Sequence, residues 1–360
     1  MPRPSEPRIV HSTTPYNAEP ALAFLRRSRH TPAEAFYVRS HGNIPRPEAG
    51  SFRVTVGGRV RAPLALTLAQ LRDDFEMHTV EAVLQCAGNR RSELLAVKPV
   101  AGDPWAGGAI GNATWGGVLL ADVLRAAGAD CDPALHVAFE SLDDCRIEEH
   151  AFRYGVSIPM TKANSTEVLL AYEMNGAPLT AEHGAPLRAI VPGYAGVRSA
   201  KWLTAITVQE APSSCYIQSQ DYKLFPPDAT KDTADPAQGM TINDMPLNSL
   251  ICEPADHAVL AAGKTTLRGW AIATARGVAR VDVSINGGRD WTQASLEHDA
   301  GSPWSWTLWE CEAELAVGNH QLVVRAWDSA GQTQPADADD TWNYKGYLCA
   351  SWHRINVKVA

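Results

Sequence analysis

The chain has 360 residues, of which 45% are hydrophobic and 20% are charged, and its formal net charge is −8. This composition is typical of a globular protein with a sizeable core, and the length predicts two domains. An acidic chain without a lysine-rich stripe is not expected to bind nucleic acid, and no apolar run approaches the roughly 20 residues that span a bilayer. We therefore expect neither a nucleic-acid nor a membrane partner, and an anionic substrate would need a locally positive pocket.

The cysteines indicate reduced thiols rather than a disulfide framework. Their number, seven, is odd, and no two form a Cys-x-x-Cys pair. This spacing also excludes a covalently attached c-type haem. The first 20 residues are rich in proline and lack the apolar segment of a signal peptide. We therefore expect a cytoplasmic protein, or a periplasmic one if a signal segment has been removed.

The first 240 residues carry a mixed pattern of strands and short helices. Residues 1–35 predict a surface arm, and residues 52–58 alternate and predict a strand that enters a hairpin. Thr67 is placed to cap a short helix, and residues 119–127 predict a helix that ends at Gly128. Further strands are predicted at residues 78–85, 136–140, 168–172, 187–192 and 201–209.

The texture changes after residues 225–246, which are rich in Pro, Asp and Thr and predict a linker. Beyond it, short alternating segments and the turn sequence Asn286-Gly287-Gly288 predict an all-β, immunoglobulin-like sandwich. The predicted strands are residues 265–273, 281–285, 304–308, 321–327 and 355–359. Eight of the eleven tryptophans lie at or beyond residue 270, and we expect most of them in the core and some in a dimer interface.

One thiol stands in an unusual setting. Cys86 ends an apolar, strand-like segment and is followed by Ala-Gly-Asn-Arg-Arg. Arginines lower the pKa of a nearby thiol, a thiolate suits a soft metal, and guanidinium groups suit an oxyanion. A lone cysteine is more often a buried structural residue. Here the two arginines favour a metal-binding thiolate that faces an anion.

A series of motifs in the same order resembles the sulfite oxidase family of molybdopterin-dependent oxidoreductases along nearly the whole chain. They include residues 16–20, 36–42, 83–94, 154–159, 169–176, 183–188, 191–196, 201–203, 221–223, 342–343 and 352–354. The opening is similar to plant-type and bacterial members without a haem domain. The resemblance implies an α+β protein: a mixed α/β molybdopterin-binding catalytic domain at residues 1–240, then an immunoglobulin-like dimerisation domain at residues 241–360.

The resemblance also implies an enzyme that oxidises sulfite to sulfate by oxo transfer. The cofactor would be Mo-molybdopterin, the molybdenum cofactor, with Cys86 as the single protein ligand of the metal. Neither haem nor flavin is expected in this chain, so the electrons would pass to an external acceptor such as a cytochrome c-like protein or oxygen. The protein is expected to be a homodimer.

Five residues are implied beside the substrate, in addition to Cys86. Arg39, Arg91 and Lys345 would surround sulfite, whose two negative charges need a cationic pocket. Tyr222 would donate a hydrogen bond to the oxyanion, and Trp105 would wall the pocket. The family usually carries arginine where this chain has Lys345, which keeps the charge but loses the bidentate fork. That departure predicts weaker sulfite binding or a different preferred oxyanion.

A larger set matches the positions that hold the pterin and its phosphate. A phosphate monoester and a polar heterocycle need cations and hydrogen-bonding groups. The matched residues are Tyr37, Val38, Arg39, Ser40, His41, Asp143, His183, Arg188, Ser199, Ala200 and Lys201. Ser40 replaces the usual asparagine, and Arg198 is expected near the pocket.

Three alternatives compete with sulfite oxidation. Nitrate reduction uses the same scaffold but normally with added haem and flavin domains. A methionine sulfoxide reductase of related fold would lack the C-terminal sandwich. A cofactor-free binding protein would have no need for the retained Cys86, Arg188 and Lys201.

Overall fold

The computed structural model describes residues 8–48, 50–274 and 276–360, and within them strands far outnumber helices. The helices are α1 Leu22–Leu25, α2 Leu68–Asp74, α3 Arg91–Val97, α4 Leu120–Ala126, α5 Met160–Ala163 and α6 Tyr216–Ser219. The strands of the first part are β1 Arg8–Thr13, β2 Tyr16–Pro20, β3 Val38–Arg39, β4 Arg53–Gly58, β5 Leu64–Thr67, β6 Met77–Gln85, β7 Ile110–Leu119, β8 His136–Ile147, β9 His150–Pro159, β10 Leu169–Met174, β11 Ala177–Pro178, β12 Arg188–Ile190, β13 Leu203–Gln209, β14 Lys223–Leu224 and β15 Met240–Thr241. Those of the second part are β16 Asn248–Glu253, β17 Val259–Leu260, β18 Gly263–Ile272, β19 Val278–Ser284, β20 Thr292–Gln293, β21 Ser295–Glu297, β22 Thr307–Leu315, β23 Gly318–Asp328 and β24 His353–Val359.

Two sheets build most of the first part. One has the order β5-β4-β13-β8-β9, in which β13 runs parallel to β4 and antiparallel to β8. The other has the order β11-β10-β7-β6, with β12 also paired to β10. Apolar residues of the first sheet pack with α2 and α4 into one large core. The ends of β6 and β12 and the loop before β13 then meet around a common cavity.

Several local predictions are confirmed. β4 and β5 form the expected antiparallel hairpin. Thr67 caps α2: its hydroxyl accepts from the Gln70 backbone N–H at 2.9 Å, and the Gln70 side chain accepts from the Thr67 N–H at 3.0 Å. Helix α4 ends just before Gly128, whose φ of +63° is in the left-handed region that favours glycine.

The prediction that residues 1–35 form a surface arm is wrong for residues 17–20, which are buried. Residues 1–7 lie outside the described residues, but β1, β2 and β3 form a sheet in which residues 17–20 are buried. The carboxylate of Glu19 accepts from the backbone N–H groups of Ala106 and Gly108, each at 2.7 Å. Composition could not predict this, because the groups that satisfy the buried carboxylate lie more than 80 residues away along the chain.

The predicted linker is also not a simple crossing. β14 and β15 pair antiparallel and close a loop whose middle is mostly exposed. After the loop, Ile242 and Met245 are buried in the large core. The composition predicted a linker, but the burial of these two apolar side chains attaches its end to the core of the first part.

The second part consists of two sheets that share a core. Their orders are β16-β18-β22-β21 and β17-β24-β23-β19-β20. The predicted hairpin between β19 and β20 is confirmed, whereas the strand predicted at 304–308 begins only at Thr307. Only three of the eight tryptophans at or beyond residue 270 are fully buried, Trp270, Trp306 and Trp309, and the other five are partly exposed, so the prediction that most of them lie in the core is wrong.

The two parts are joined by an apolar cluster and a polar network. Leu25, Val83 and Ile110 pack against the second part, namely against Leu250, Cys252, Trp270, Ile272, Trp306 and Leu308. Val83 lies on β6, so the strand that leads to Cys86 is itself held at this joint. Among the described residues, no helix is long and apolar enough to cross a membrane.

Candidate active site

A cavity opens beside Cys86 and brings together most of the predicted site residues. Its walls come from the β3 region, the end of β6, one residue each of β8 and β9, the segment that surrounds β12, and the residue before β14. The lining residues are Phe36, Tyr37, Arg39, Ser40, His41, Leu84, Cys86, Asp143, Tyr154, Glu182, His183, Arg188, Gly196, Val197, Ser199, Lys201, Trp202 and Tyr222. The cavity thus joins a thiol to basic, aromatic and hydrogen-bonding side chains from distant parts of the chain.

Cys86 lies directly after β6 and is only 5% exposed. Its sulfur accepts from the backbone N–H of Gly88 at 3.4 Å. Burial raises the pKa of this thiol, while Arg39 and Arg91 act to lower it. The predicted net lowering of the Cys86 pKa is therefore wrong, because desolvation outweighs the two guanidinium groups. A soft cation bound to the sulfur would supply the charge stabilisation that burial removes.

The two arginines after the thiol point in different directions. Arg90 has a left-handed backbone (φ 65°), and its fully buried guanidinium pairs with Glu93 at 2.6 Å and with Asn248 Oδ1 at 2.6 Å. Arg91 donates to the carbonyls of Asp103 and Gly346. Neither arginine lines the cavity. Both hold the loop that presents Cys86.

The lining residues around Tyr222 suit a small anion. Arg39 lines the cavity, and the Tyr222 hydroxyl shares a hydrogen bond of 2.8 Å with His41 Nε2. Burial, together with Arg39 and Lys201, holds the pKa of His41 well below its usual value, so the ring is neutral. Burial also raises the pKa of Tyr222, so its hydroxyl keeps its proton.

Five predicted residues do not line the cavity. Val38, Arg91, Trp105, Ala200 and Lys345 are absent from its walls. The Trp105 side chain is fully buried, and its ring lies 4.7 Å from that of His11, centroid to centroid. Lys345 Nζ pairs with Asp221 Oδ1 at 3.0 Å. These five residues were predicted at the site, but in the structure they are not part of the cavity wall.

Two more basic side chains line the cavity, Arg188 and Lys201. Arg188 is held by the carbonyls of His183 and Ser199, at 3.0 and 3.1 Å. Lys201 donates to the carbonyl of Glu182 at 3.0 Å and to Ser40 Oγ at 3.3 Å. Burial lowers the pKa values of both basic groups, and it lowers that of Arg188 to about 10. An arriving anion would offset that burial and restore the full charge of Lys201.

Arg198 lies near the cavity, as expected, but its side chain is turned away from it. Its guanidinium is fully buried and donates twice to the carbonyl of Ile242, at 3.0 and 2.8 Å. It therefore fixes the segment that follows the exposed loop.

Two buried polar atoms in the cavity wall have no protein partner. They are Oδ1 of Asp143 and Nε of Arg188, one an acceptor and the other a donor. Buried polar groups in native proteins are almost always hydrogen-bonded. A bound ligand could therefore supply the missing hydrogen-bond partners of both atoms. An acceptor, several cationic donors and a thiol together fit a metal that is carried by a polar, phosphorylated organic group. The residues present therefore fit Mo-molybdopterin.

Seven lining residues were not singled out from the sequence as site residues, namely Phe36, Leu84, Tyr154, Glu182, Gly196, Val197 and Trp202. Tyr154 donates to the carbonyl of Val197 at 2.5 Å, Glu182 supplies the carbonyl that Lys201 contacts, and Trp202 has a left-handed backbone. Tyr154 and Trp202 stand inside motifs that resemble the family, so that signal was present. Glu182 precedes His183 and carried no such signal.

Comparison with known proteins agrees with this geometry. Residues 41–217 match the family described as oxidoreductase molybdopterin binding domain, and residues 239–360 match the Mo-co oxidoreductase dimerisation domain. The chain is 42% identical to sulfite oxidase of Gallus gallus, over 96% of this chain and 76% of that protein. It is 38% identical to sulfite oxidase of Arabidopsis thaliana, over 99% of this chain and 95% of that protein.

A solved structure shares the fold. The sulfane dehydrogenase SoxCD from Paracoccus pantotrophus superimposes with a TM-score of 0.81, over 99% of this chain and 91% of that chain, at 24% sequence identity. Likeness at this identity concerns the fold alone, whereas the relatives above extend over nearly the whole sequence. With the cavity built around Cys86, these matches lead to one conclusion: the chain is an enzyme that belongs to the sulfite oxidase family of molybdopterin-dependent oxidoreductases.

Proposed function

We propose that this enzyme oxidises sulfite to sulfate with Mo-molybdopterin, and that Cys86 is the single protein ligand of molybdenum. The observation that carries the proposal is the cavity, which a buried thiol shares with Arg39 and Tyr222, suited to a small anion, and with Arg188 and Lys201, suited to a phosphate. Atom balance requires that one water oxygen is added to sulfite while two protons and two electrons leave. When bound, the cofactor supplies the oxygen-atom transfer and takes up the electrons.

The chain's own residues would hold the cofactor at its two ends. Arg188 and Lys201 bind the phosphate, with Ser199 and the neutral His183 as hydrogen-bonding neighbours. The free Oδ1 of Asp143 accepts a hydrogen bond from the heterocycle. Tyr37 and Ser40 form part of the cavity wall. Val38 and Ala200 lie between lining residues along the chain but do not line the cavity themselves.

Substrate binding is the task we assign to Arg39 and Tyr222. The guanidinium of Arg39 offsets the charge of sulfite, and the Tyr222 hydroxyl donates to one of its oxygens. For this, His41 Nε2 must carry the ring proton and donate to the Tyr222 oxygen, which leaves the hydroxyl proton for the anion. Arg91, Trp105 and Lys345 do not line the cavity and would act indirectly, and the pairing of Lys345 with Asp221 limits its direct contribution.

The remaining assignments concern the whole protein. We propose a catalytic domain at residues 1–240, an immunoglobulin-like dimerisation domain at residues 241–360, and a homodimer, in keeping with the family matched at 239–360. Electrons would leave to an external acceptor, a cytochrome c-like protein or oxygen. The cytoplasmic location stays a prediction from the sequence.

The decisive experiment is an anaerobic titration of the air-oxidised protein with sulfite, followed by visible absorbance. We expect a thiolate-to-molybdenum charge-transfer band that disappears at one sulfite per protomer. A band that sulfite leaves unchanged would contradict sulfite as the substrate, and a parallel titration of the reduced protein with nitrate would then test the reductase alternative. Absence of any band in protein from a host that makes the cofactor would favour a binding protein.

A further inference from the structure

Tyr347 does not line the cavity but contacts Tyr222, which does. Its ring stacks on the ring of Tyr222, with centroids 5.0 Å apart and planes inclined by 14°. Its hydroxyl donates to Oδ1 of Asp221 at 2.9 Å. One side chain therefore holds both the ring of Tyr222 and the residue directly before it.

Tyr222 needs such support because its backbone is unfavourable. Its φ of +43° lies in the left-handed region, which bulky residues rarely adopt. Its carbonyl accepts from the N–H of Ile242 at 3.0 Å, which fixes one end of the residue. The direction of the ring, and so of the hydroxyl toward His41, depends on what packs against its face.

Tyr347 is itself fixed to the loop that carries Cys86. The buried side chain of Asn343 binds both its N–H, at 3.1 Å, and its carbonyl, at 2.8 Å. The next residue, Leu348, donates to the carbonyl of Ala87 at 2.8 Å. The guanidinium carbon of Arg91 lies 5.3 Å from the centre of the Tyr347 ring. The position of Tyr347 is thus coupled to that of the Cys86 loop.

We propose that Tyr347 is a positioning residue that holds the Tyr222 hydroxyl toward the cavity, in a fixed relation to Cys86. It touches neither the cavity nor the reacting atoms and acts through Tyr222. The proposal rests on the role assigned above to Tyr222 as the donor to the oxyanion. Stacking on the Tyr222 ring provides most of this positioning, and the hydrogen bond from Tyr347 to Asp221 provides the rest.

The test uses the holoenzyme with fluorotyrosine in place of tyrosine. The fluorine resonance that is lost in Tyr222→Phe identifies Tyr222, and it is then followed in Tyr347→Leu, which removes the stack, and in Tyr347→Phe, which keeps it. We expect the resonance to shift in Tyr347→Leu and to stay close to its original position in Tyr347→Phe. Tyr344→Leu is the matched control, because Tyr344 packs on Phe225 instead and should leave the signal unmoved.

Kinetics with sulfite provide the second readout. Because an aromatic pair contributes about 0.5–1.5 kcal/mol, Tyr347→Leu should lower kcat/KM by roughly 2- to 12-fold. The same substitution in the Tyr222→Phe background should lower it no further. Equal losses in both backgrounds, or an unmoved Tyr222 resonance, would overturn the proposal and leave Tyr347 a purely structural residue.

Two provisions keep the outcome clear. If Tyr347→Leu does not fold, Tyr347→His replaces it, with a smaller ring and the same expected shift and non-additivity. The fluorine measurement needs no sulfite turnover. A shifted resonance in an enzyme whose absorbance sulfite does not change would therefore refute the proposed substrate while supporting the role of Tyr347.

Discussion

At the scale of single residues, burial decides what each group in the cavity can do. His41 and His183 are kept neutral, and burial lowers the pKa of His183 to about 3. The cavity wall contains three basic side chains, Arg39, Arg188 and Lys201, and two carboxyl groups, those of Asp143 and Glu182. Burial raises the pKa of Asp143. The cavity is therefore more positive than the acidic chain around it, as an oxyanion and a phosphate require.

The metal-ligand assignment predicts the outcome of Cys86→Ser. The charge-transfer band should vanish, and turnover should fall by at least about 100-fold, since even changes to residues that support a ligand reduce activity by ~10- to 100-fold. Absorbance and steady-state assays of the purified variant measure both effects. Cys131→Ser is the control, because that thiol is exposed and does not line the cavity. Substantial activity in Cys86→Ser would refute the assignment.

At the scale of elements, the Cys86 loop depends on the second part of the molecule. Arg90 reaches Asn248 at the start of β16, and the Asn248 amide donates to the carbonyl of Cys349 at 2.8 Å. Leu348 in the same segment binds the loop through Ala87. The position of the thiol is therefore set by residues about 160 and 260 positions further along the chain.

This dependence predicts the effect of Arg90→Met. The Arg90 guanidinium is fully buried and Glu93 is partly exposed, so removing Arg90 should cost up to about 3–5 kcal/mol, because Glu93 and Asn248 lose their partner. We expect a lower urea midpoint and less molybdenum retained per protomer after dialysis. Arg125→Met on α4 is the matched control, since its pair with Asp122 is exposed and contributes about 0.5 kcal/mol or less. Equal shifts in the two variants would count against a special role for Arg90.

At the scale of the whole molecule, a polar network joins the two parts beside the apolar cluster. The carboxylate of Glu81 on β6 accepts from Arg29 at 2.6 Å, from Asn112 at 2.7 Å, and from Ser302 and Ser305 of the second part at 2.7 and 2.9 Å. Burial acts to raise the pKa of Glu81, but these hydrogen bonds hold it at about 2, below its ordinary value of 4.5. The charged carboxylate thus stabilises the contact between the parts.

A pH dependence of stability follows from that lowered pKa. The contribution of Glu81 is complete above pH 4.5 and is lost as the pH falls from there toward about 2. Glu81→Gln should therefore lower the urea midpoint at pH 7, by an amount equivalent to about 1.5–3 kcal/mol, and the difference from the original protein should shrink toward pH 3. Glu310→Gln, in an exposed pair with Arg268, should have little effect at either pH. A difference that does not depend on pH would contradict the role of the charge.

The sequence by itself determined the short-range features of this protein. The Thr67 cap, the end of α4 at Gly128 and the hairpin after β19 follow from the conformational preferences of adjacent residues, which act within a few positions of the chain. The motif around Cys86 and its resemblance to a family identified most of the cavity wall, because those residues are recognised one segment at a time.

Only the tertiary structure decided which groups are desolvated and which partners they meet. Residues 17–20 proved to be buried, Lys345 proved to pair with Asp221, and the pKa of Cys86 is raised although two arginines act to lower it. Each of these outcomes depends on burial and on contacts between residues far apart in the sequence. Such contacts leave no local pattern, because desolvation and ion pairing depend on distance in space and not on order along the chain.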